Sequence, residues 1–131
     1  MAVPEFPPFT RLLGVNVLQR SPERSEAELA VREELCNRRG VLHGGAVMAL
    51  GDTLGGMTAS ISLPDGGRTA TIESKTNFFA AVAQGDTVRA ECTPLHRGRT
   101  TMVWQTRITR DDGRLCAVVT QTQMVLQAAK S

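Results

Sequence analysis

The chain has 131 residues, 41% of them apolar, which suits one hydrophobic core and leaves too little for two independent domains. Its 15 basic and 13 acidic side chains leave a formal charge of +2, too weak a field for a polyanion, so a general nucleic-acid binder is disfavoured. Three widely spaced cysteines, Cys36, Cys92 and Cys116, suggest neither a disulfide framework nor a thiolate metal site and fit a reducing, cytoplasmic setting. Met1 to Thr10 holds three prolines and no basic run ahead of an apolar core, unlike a signal peptide. The least charged stretch, Gly40 to Pro64, contains six glycines and Asp52, which a transmembrane helix tolerates poorly, so a soluble protein with no membrane partner is expected.

In chain order, Gly14 to Arg20 and Ser25 to Arg32 flank Ser21-Pro22-Glu23-Arg24, and Ala27, Leu29 and Val31 alternate with polar neighbours, which predicts a hairpin. After polar Glu33 to Gly40, the residues Val47, Leu50, Leu54, Met57 and Ile61 recur every three or four positions and predict one amphipathic helix over Ala46 to Leu63. Beyond Pro64-Asp65-Gly66-Gly67, four strands are predicted: Thr69 to Phe79, Asp86 to Leu95, Arg99 to Arg110 and Arg114 to Leu126. The short links Gln84-Gly85-Asp86, Arg97-Gly98-Arg99 and Asp111-Asp112-Gly113 carry turn chemistry and favour consecutive antiparallel pairing. The expected fold is α+β, a curled antiparallel sheet of about six strands wrapped around one long central helix, because the helix stripe needs a concave apolar surface.

Asp52 falls about 200° around that helix from Leu50, at about 100° per residue, away from the apolar stripe. Met48, Gly55, Gly56 and Ala59 share its side, and no Lys, Arg or Glu occurs between Gly40 and Pro64. A face so poor in charge calls for cover, and a second subunit is the simplest one.

Asn37-Arg38-Arg39-Gly40-Val41-Leu42-His43-Gly44-Gly45 precedes the helix. Free N–H groups and the positive dipole at a helix N-terminus favour developing negative charge, and paired glycines permit close approach to a carbonyl oxygen, as an oxyanion hole requires. A carboxylate in apolar surroundings, such as Asp52, can act as base or nucleophile toward an activated acyl group. Taken singly, Gly44-Gly45 reads first as a helix start, His43 as a loop hydrogen-bonder and Asp52 as an acid paired with a neighbouring Arg.

Together these residues resemble the hot-dog-fold acyl-CoA thioesterases, in particular the phenylacetate-pathway-like small thioesterases, through Asn-x-x-Gly-x-x-His-Gly-Gly followed by a helical Asp. The sharp motif spans Asn37 to Asp52; the rest of the chain matches in element order. The resemblance implies that Asp52 is the catalytic carboxylate, activating water or attacking the thioester directly, and that the Gly44 N–H polarises its carbonyl. It further implies that Asn37 and His43 position substrate or water, and that these groups face Asp52 from a partner subunit. Thr71 matches a position where related enzymes align water with a hydroxyl, although an ordinary strand Thr would look the same. A homo-oligomer is implied, a dimer at least and a tetramer in preference.

Gly45, Arg97, Gly98, Arg99 and Thr100 are expected to meet CoA, the guanidinium groups of the second turn being suited to phosphate oxygens. His96 reads as a surface or packing residue. No Gly-x-Ser-x-Gly elbow exists for a serine hydrolase, and two histidines without clustered carboxylates argue against a metal site, so neither metal nor cofactor is expected. The expected activity is hydrolysis of an aryl- or short/medium-chain acyl-CoA, with Met48, Leu54, Met57, Phe78 and Phe79 compatible with either acyl group. A non-catalytic acyl-CoA-binding or sensing module and a hot-dog dehydratase are the alternatives.

Overall fold

The computed structural model describes residues 6–64 and 67–126. A short helix α1 (Pro8–Leu13) leads into strands β1 (Asn16–Gln19) and β2 (Ser25–Ala30), then the long helix α2 (Gly44–Ile61), then β3 (Arg68–Phe78), β4 (Thr87–Arg97), β5 (Thr101–Arg110) and β6 (Leu115–Leu126). The six strands form one antiparallel sheet curled around α2, as expected for a hot-dog fold. The strand boundaries lie within two residues of those read from the sequence, with β1, β2, β5 and β6 somewhat shorter than expected.

Two expectations are corrected. Helix α2 starts two residues earlier than predicted because the His43 side chain caps it and both glycines enter its first turn, where their poor propensity costs least. It ends two residues earlier, at Ile61, where Ser62 is the C-cap ahead of Pro64. Helix α1 carried no apolar periodicity long enough to detect; Pro8 opens it and Gly14, at φ 80°, closes it.

Consecutive pairing fails at β3. The sheet order is β1-β2-β4-β5-β6-β3, so β3 lies on the far edge against β6, while β4 sits beside β2. The Gly85 turn looks like a hairpin in sequence but ties to the end of β2: Gly85 N–H donates to the Val31 carbonyl at 2.8 Å, and Val31 N–H to Asp86 O at 2.9 Å.

The core lies between α2 and the concave sheet face. Period-two alternation turns Ala27 and Leu29, Val88 and Ala90, Trp104 and Ile108, and Ala117 and Val119 inward, each essentially inaccessible, against Val47, Leu50 and Leu54 of the helix. Gly51 and Gly55 let α2 press on β6: a Cβ on Gly51 would lie 2.5 Å from Val119 Cγ2, and one on Gly55 only 1.8 Å from Gln121 Oε1. The face opposite the stripe is therefore narrower than the sequence suggested. Gly55 and Ala59 are buried, and Met48, Asp52 and Ser60 form its exposed part. No helix among the described residues is long and apolar enough to cross a membrane.

Candidate active site

The Asn37–Gly45 loop is built as a small folded unit. Asn37 Oδ1 accepts the N–H of Arg39 at 2.9 Å and of Val41 at 3.4 Å, an Asx-type turn that Gly40 completes at φ 74°. Leu42 N–H donates to Val82 O and His43 N–H to Leu35 O, both at 2.8 Å, which pins the loop to the body of the protein. The oxygen of the Asn37 carboxamide is thus engaged by the loop, while the side chain stays exposed.

His43 is the N-cap of α2. Its Nδ1 accepts the Gly45 N–H at 2.8 Å, so the neutral imidazole carries its hydrogen on Nε2, on an exposed ring. Gly45 N–H is therefore engaged within the loop. Gly44, the first helical residue, has no carbonyl one turn back inside the helix, and its N–H is the donor of the first turn without a hydrogen-bond partner among the described residues. Gly44 lines a hollow of about 320 Å³ with Phe78, Phe79, Leu42 and Val82, and a Cβ on Gly44 would stand 3.3 Å from the Phe78 ring.

Asp52 is exposed on α2 and opens on a second groove, of about 460 Å³, walled by Phe6, Val15, Val17, Met57 and Ile61, with Arg20 at its border. Its partner is not an Arg: Gln121 of β6, only 1% exposed, donates Nε2 to Asp52 Oδ1 at 3.3 Å. Thr71 on β3 is likewise exposed, and it accepts the Nε2–H of buried Gln123 at 2.7 Å. The two glutamines escaped sequence reading; the available signal was a polar pair at the inward parity of β6, continuing Ala117 and Val119.

Within one protomer, Asp52 and Gly44 do not converge. Eight residues of α-helix separate them by about 12 Å along the axis, and they line different hollows.

Arg97, Gly98 and Arg99 sit together on a further hollow of about 500 Å³, at the end of α2, with Leu63, Pro64 and Met102. Gly98 closes the β4–β5 turn with its N–H on Thr101 O at 2.8 Å, and a Cβ there would lie 2.6 Å from His96 Nε2. The two guanidinium groups are not equivalent. Arg97 Nη1 donates to Pro22 O at 3.2 Å and lies 4.0 Å from Glu23, whereas Arg99 is exposed with no such tether among the described residues. Thr100 is exposed, its carbonyl accepting Val125 N–H at 2.9 Å. Of the residues expected to meet an acyl group, Leu54 is fully buried under the helix and is excluded, while Met48, Phe78 and Phe79 are exposed. Among the described residues no three of His, Cys, Asp and Glu cluster as metal ligands.

A model of the thioesterase superfamily matches residues 39–117. The proofreading thioesterase EntH of Cronobacter turicensis is 36% identical over 104 residues, 79% of this chain and 75% of that protein. The crystal structure of thioesterase HI1161 from Haemophilus influenzae superposes with a TM-score of 0.88 at 30% identity, covering 93% of this chain and 85% of that one. The phenylacetic acid degradation protein PaaI of Thermus thermophilus, in a mutant structure, shares the fold at a TM-score of 0.83 and 24% identity, over 90% and 98% of the two chains.

Proposed function

Because the chain belongs to the thioesterase superfamily and is a thioester hydrolase, we propose that it cleaves an aryl- or short/medium-chain acyl-CoA to the free acid and CoA-SH. The observation that carries this reading is Asp52, a lone carboxylate on an apolar groove with one oxygen fixed from beneath by a buried carboxamide. In the proposed reaction Asp52 takes a proton from water as the water oxygen adds to the thioester carbon. The Gly44 N–H holds the oxyanion, the C–S bond breaks, and the proton leaves on the thiolate. Thr71 aligns the water, and Asn37 and His43 direct their remaining N–H groups to the substrate. The step is a hydrolysis without change of oxidation state, so no redox cofactor is proposed. The described residues offer no cluster of three His, Cys, Asp or Glu as a ligand set, so no metal is proposed either.

Since Asp52 and Gly44 stand about 12 Å apart on one helix, the site needs Gly44, His43 and Asn37 of a second copy. Strand β3 is an eleven-residue sheet edge, largely exposed, and an unpaired edge of that length is a template for another strand. A homo-oligomer, a tetramer by preference, working in the cytoplasm without nucleic acid or membrane, completes the proposal. Arg97, Gly98, Arg99 and Thr100 are proposed to receive the nucleotide end of CoA.

The test is CoA-SH release from a panel of aryl and fatty acyl-CoA esters by the wild type, Asp52→Ala and Asp52→Asn. Loss of a general base lowers kcat by about 100-fold or more. A folded Asp52→Asn with wild-type turnover overturns the assignment. Binding without CoA-SH release by the wild type would mark a sensing module, and conversion of a hydroxyacyl ester without release, a dehydratase.

A further inference from the structure

We infer that Gln121 and Gln123, neighbours on the inward face of β6, are positioning residues that fix Asp52 and Thr71 relative to one another for catalysis; this rests on the catalytic reading of Asp52. Both carboxamides are 1% exposed, in a row that is otherwise Ala117 and Val119. Gln121 Nε2 donates to Asp52 Oδ1 at 3.3 Å and Gln123 Nε2 to Thr71 Oγ1 at 2.7 Å. Two residues on one strand face stand about 7 Å apart, so the pair sets the spacing of the two groups that they hold. A Thr71 oxygen that accepts from Gln123 keeps its own O–H to donate outward.

The fold pays for this arrangement. Gln121 Oε1 is buried without a hydrogen-bond partner among the described residues, and an orphaned buried acceptor is destabilising. The helix is cleared to admit it, since any side chain on Gly55 would begin 1.8 Å from that oxygen. An apolar residue of the same length would satisfy the core better. The amide hydrogens at the other end of the group, aimed at a carboxylate that the solvent reaches, are what such a residue would lose. On β3 the register slips between Thr71 and Glu73, and bulges of this kind re-aim side chains beside active sites.

The full-length chain with Gln121→Met, which keeps shape and drops the donor, tests this on benzoyl-CoA and hexanoyl-CoA, with S-hexyl-CoA as the unreactive binding probe. The expected result is a Tm equal to or above that of the wild type, kcat at least tenfold lower, and Kd for S-hexyl-CoA within twofold. Unchanged kcat overturns the inference, as does a Kd that weakens in step with kcat, the mark of a merely structural role. Asp52→Asn runs in parallel. If it turns over like the wild type, the reading of Asp52 has failed; if it is inactive while Gln121→Met is not, only the positioning role has. Should Gln121→Met not fold, the second half decides. Gln123→Met and Thr71→Val should lower kcat by similar factors, and the double variant should be no slower than Thr71→Val; losses that multiply overturn it.

Discussion

The Nδ1 atom of His43 accepts the backbone N–H of Gly45 two residues ahead, closing the first turn of α2 with a side chain. His43→Ala strands that N–H and should cost about 1 kcal/mol in urea unfolding, the usual worth of an N-cap. His43→Asn restores a capping acceptor. It should recover the urea midpoint and leave turnover low, since the ring Nε2 is gone; recovery of both would reduce His43 to a cap.

Three glycines of α2 should respond differently to alanine. Gly51→Ala and Gly55→Ala drive a methyl into Val119 and Gln121 and should destabilise by about 1–3 kcal/mol, the cost of overpacking. Gly56→Ala meets no atom within 4 Å and should gain up to about 1 kcal/mol from helix propensity. Urea midpoints at constant m-value check all three.

Arg99→Ala should raise KM for acyl-CoA roughly fivefold, an exposed charge contact being worth about 1 kcal/mol, with kcat unchanged. Arg97→Ala should raise it less, because that guanidinium is already occupied by Pro22 O and Glu23. An acyl-pantetheine substrate, which lacks the nucleotide phosphates, should erase the Arg99 effect.

Asp112 accepts Arg110 Nε with both oxygens, at 2.9 and 3.0 Å, and Arg114 N–H at 3.0 Å. The Arg110 hydrogen bonds, followed by that of the Arg114 backbone, hold its carboxyl below the usual carboxylate range. A depressed folded-state pKa gives stability that is present above the unfolded-state value and lost as pH falls through the folded one. Asp112→Asn should therefore lower Tm at neutral pH and leave a shallower fall of Tm below about pH 4, the wild type and variant converging in acid.

Much of this architecture is legible in the sequence because local rules govern it. The period-two runs place the strands, the stripe Val47-Leu50-Leu54 places the helix, and one spacing, Asn37 to Asp52, carries the family resemblance. Long-range choices were not local. Gly85 carries the same turn signal whether it joins β4 to β3 or ties to Val31, so pairing order could not be read there. Arg97 and Arg99 look alike until the β1–β2 turn comes to rest beside one of them. The glutamines of β6 show why polarity on an inward parity is informative: Gln121 and Gln123 break the apolar row where they donate to Asp52 and Thr71.

The sheet order has a consequence for biosynthesis. Of the six described strands, β6 comes last in the chain, yet it lies between β5 and β3 and carries both carboxamides. Until it emerges, β3 has no partner strand in the sheet and Asp52 lacks its hydrogen bond to Gln121, although the nascent chain already holds the whole Asn37–Asp52 motif. Pairings this remote along the chain also make folding slow for the size of the domain.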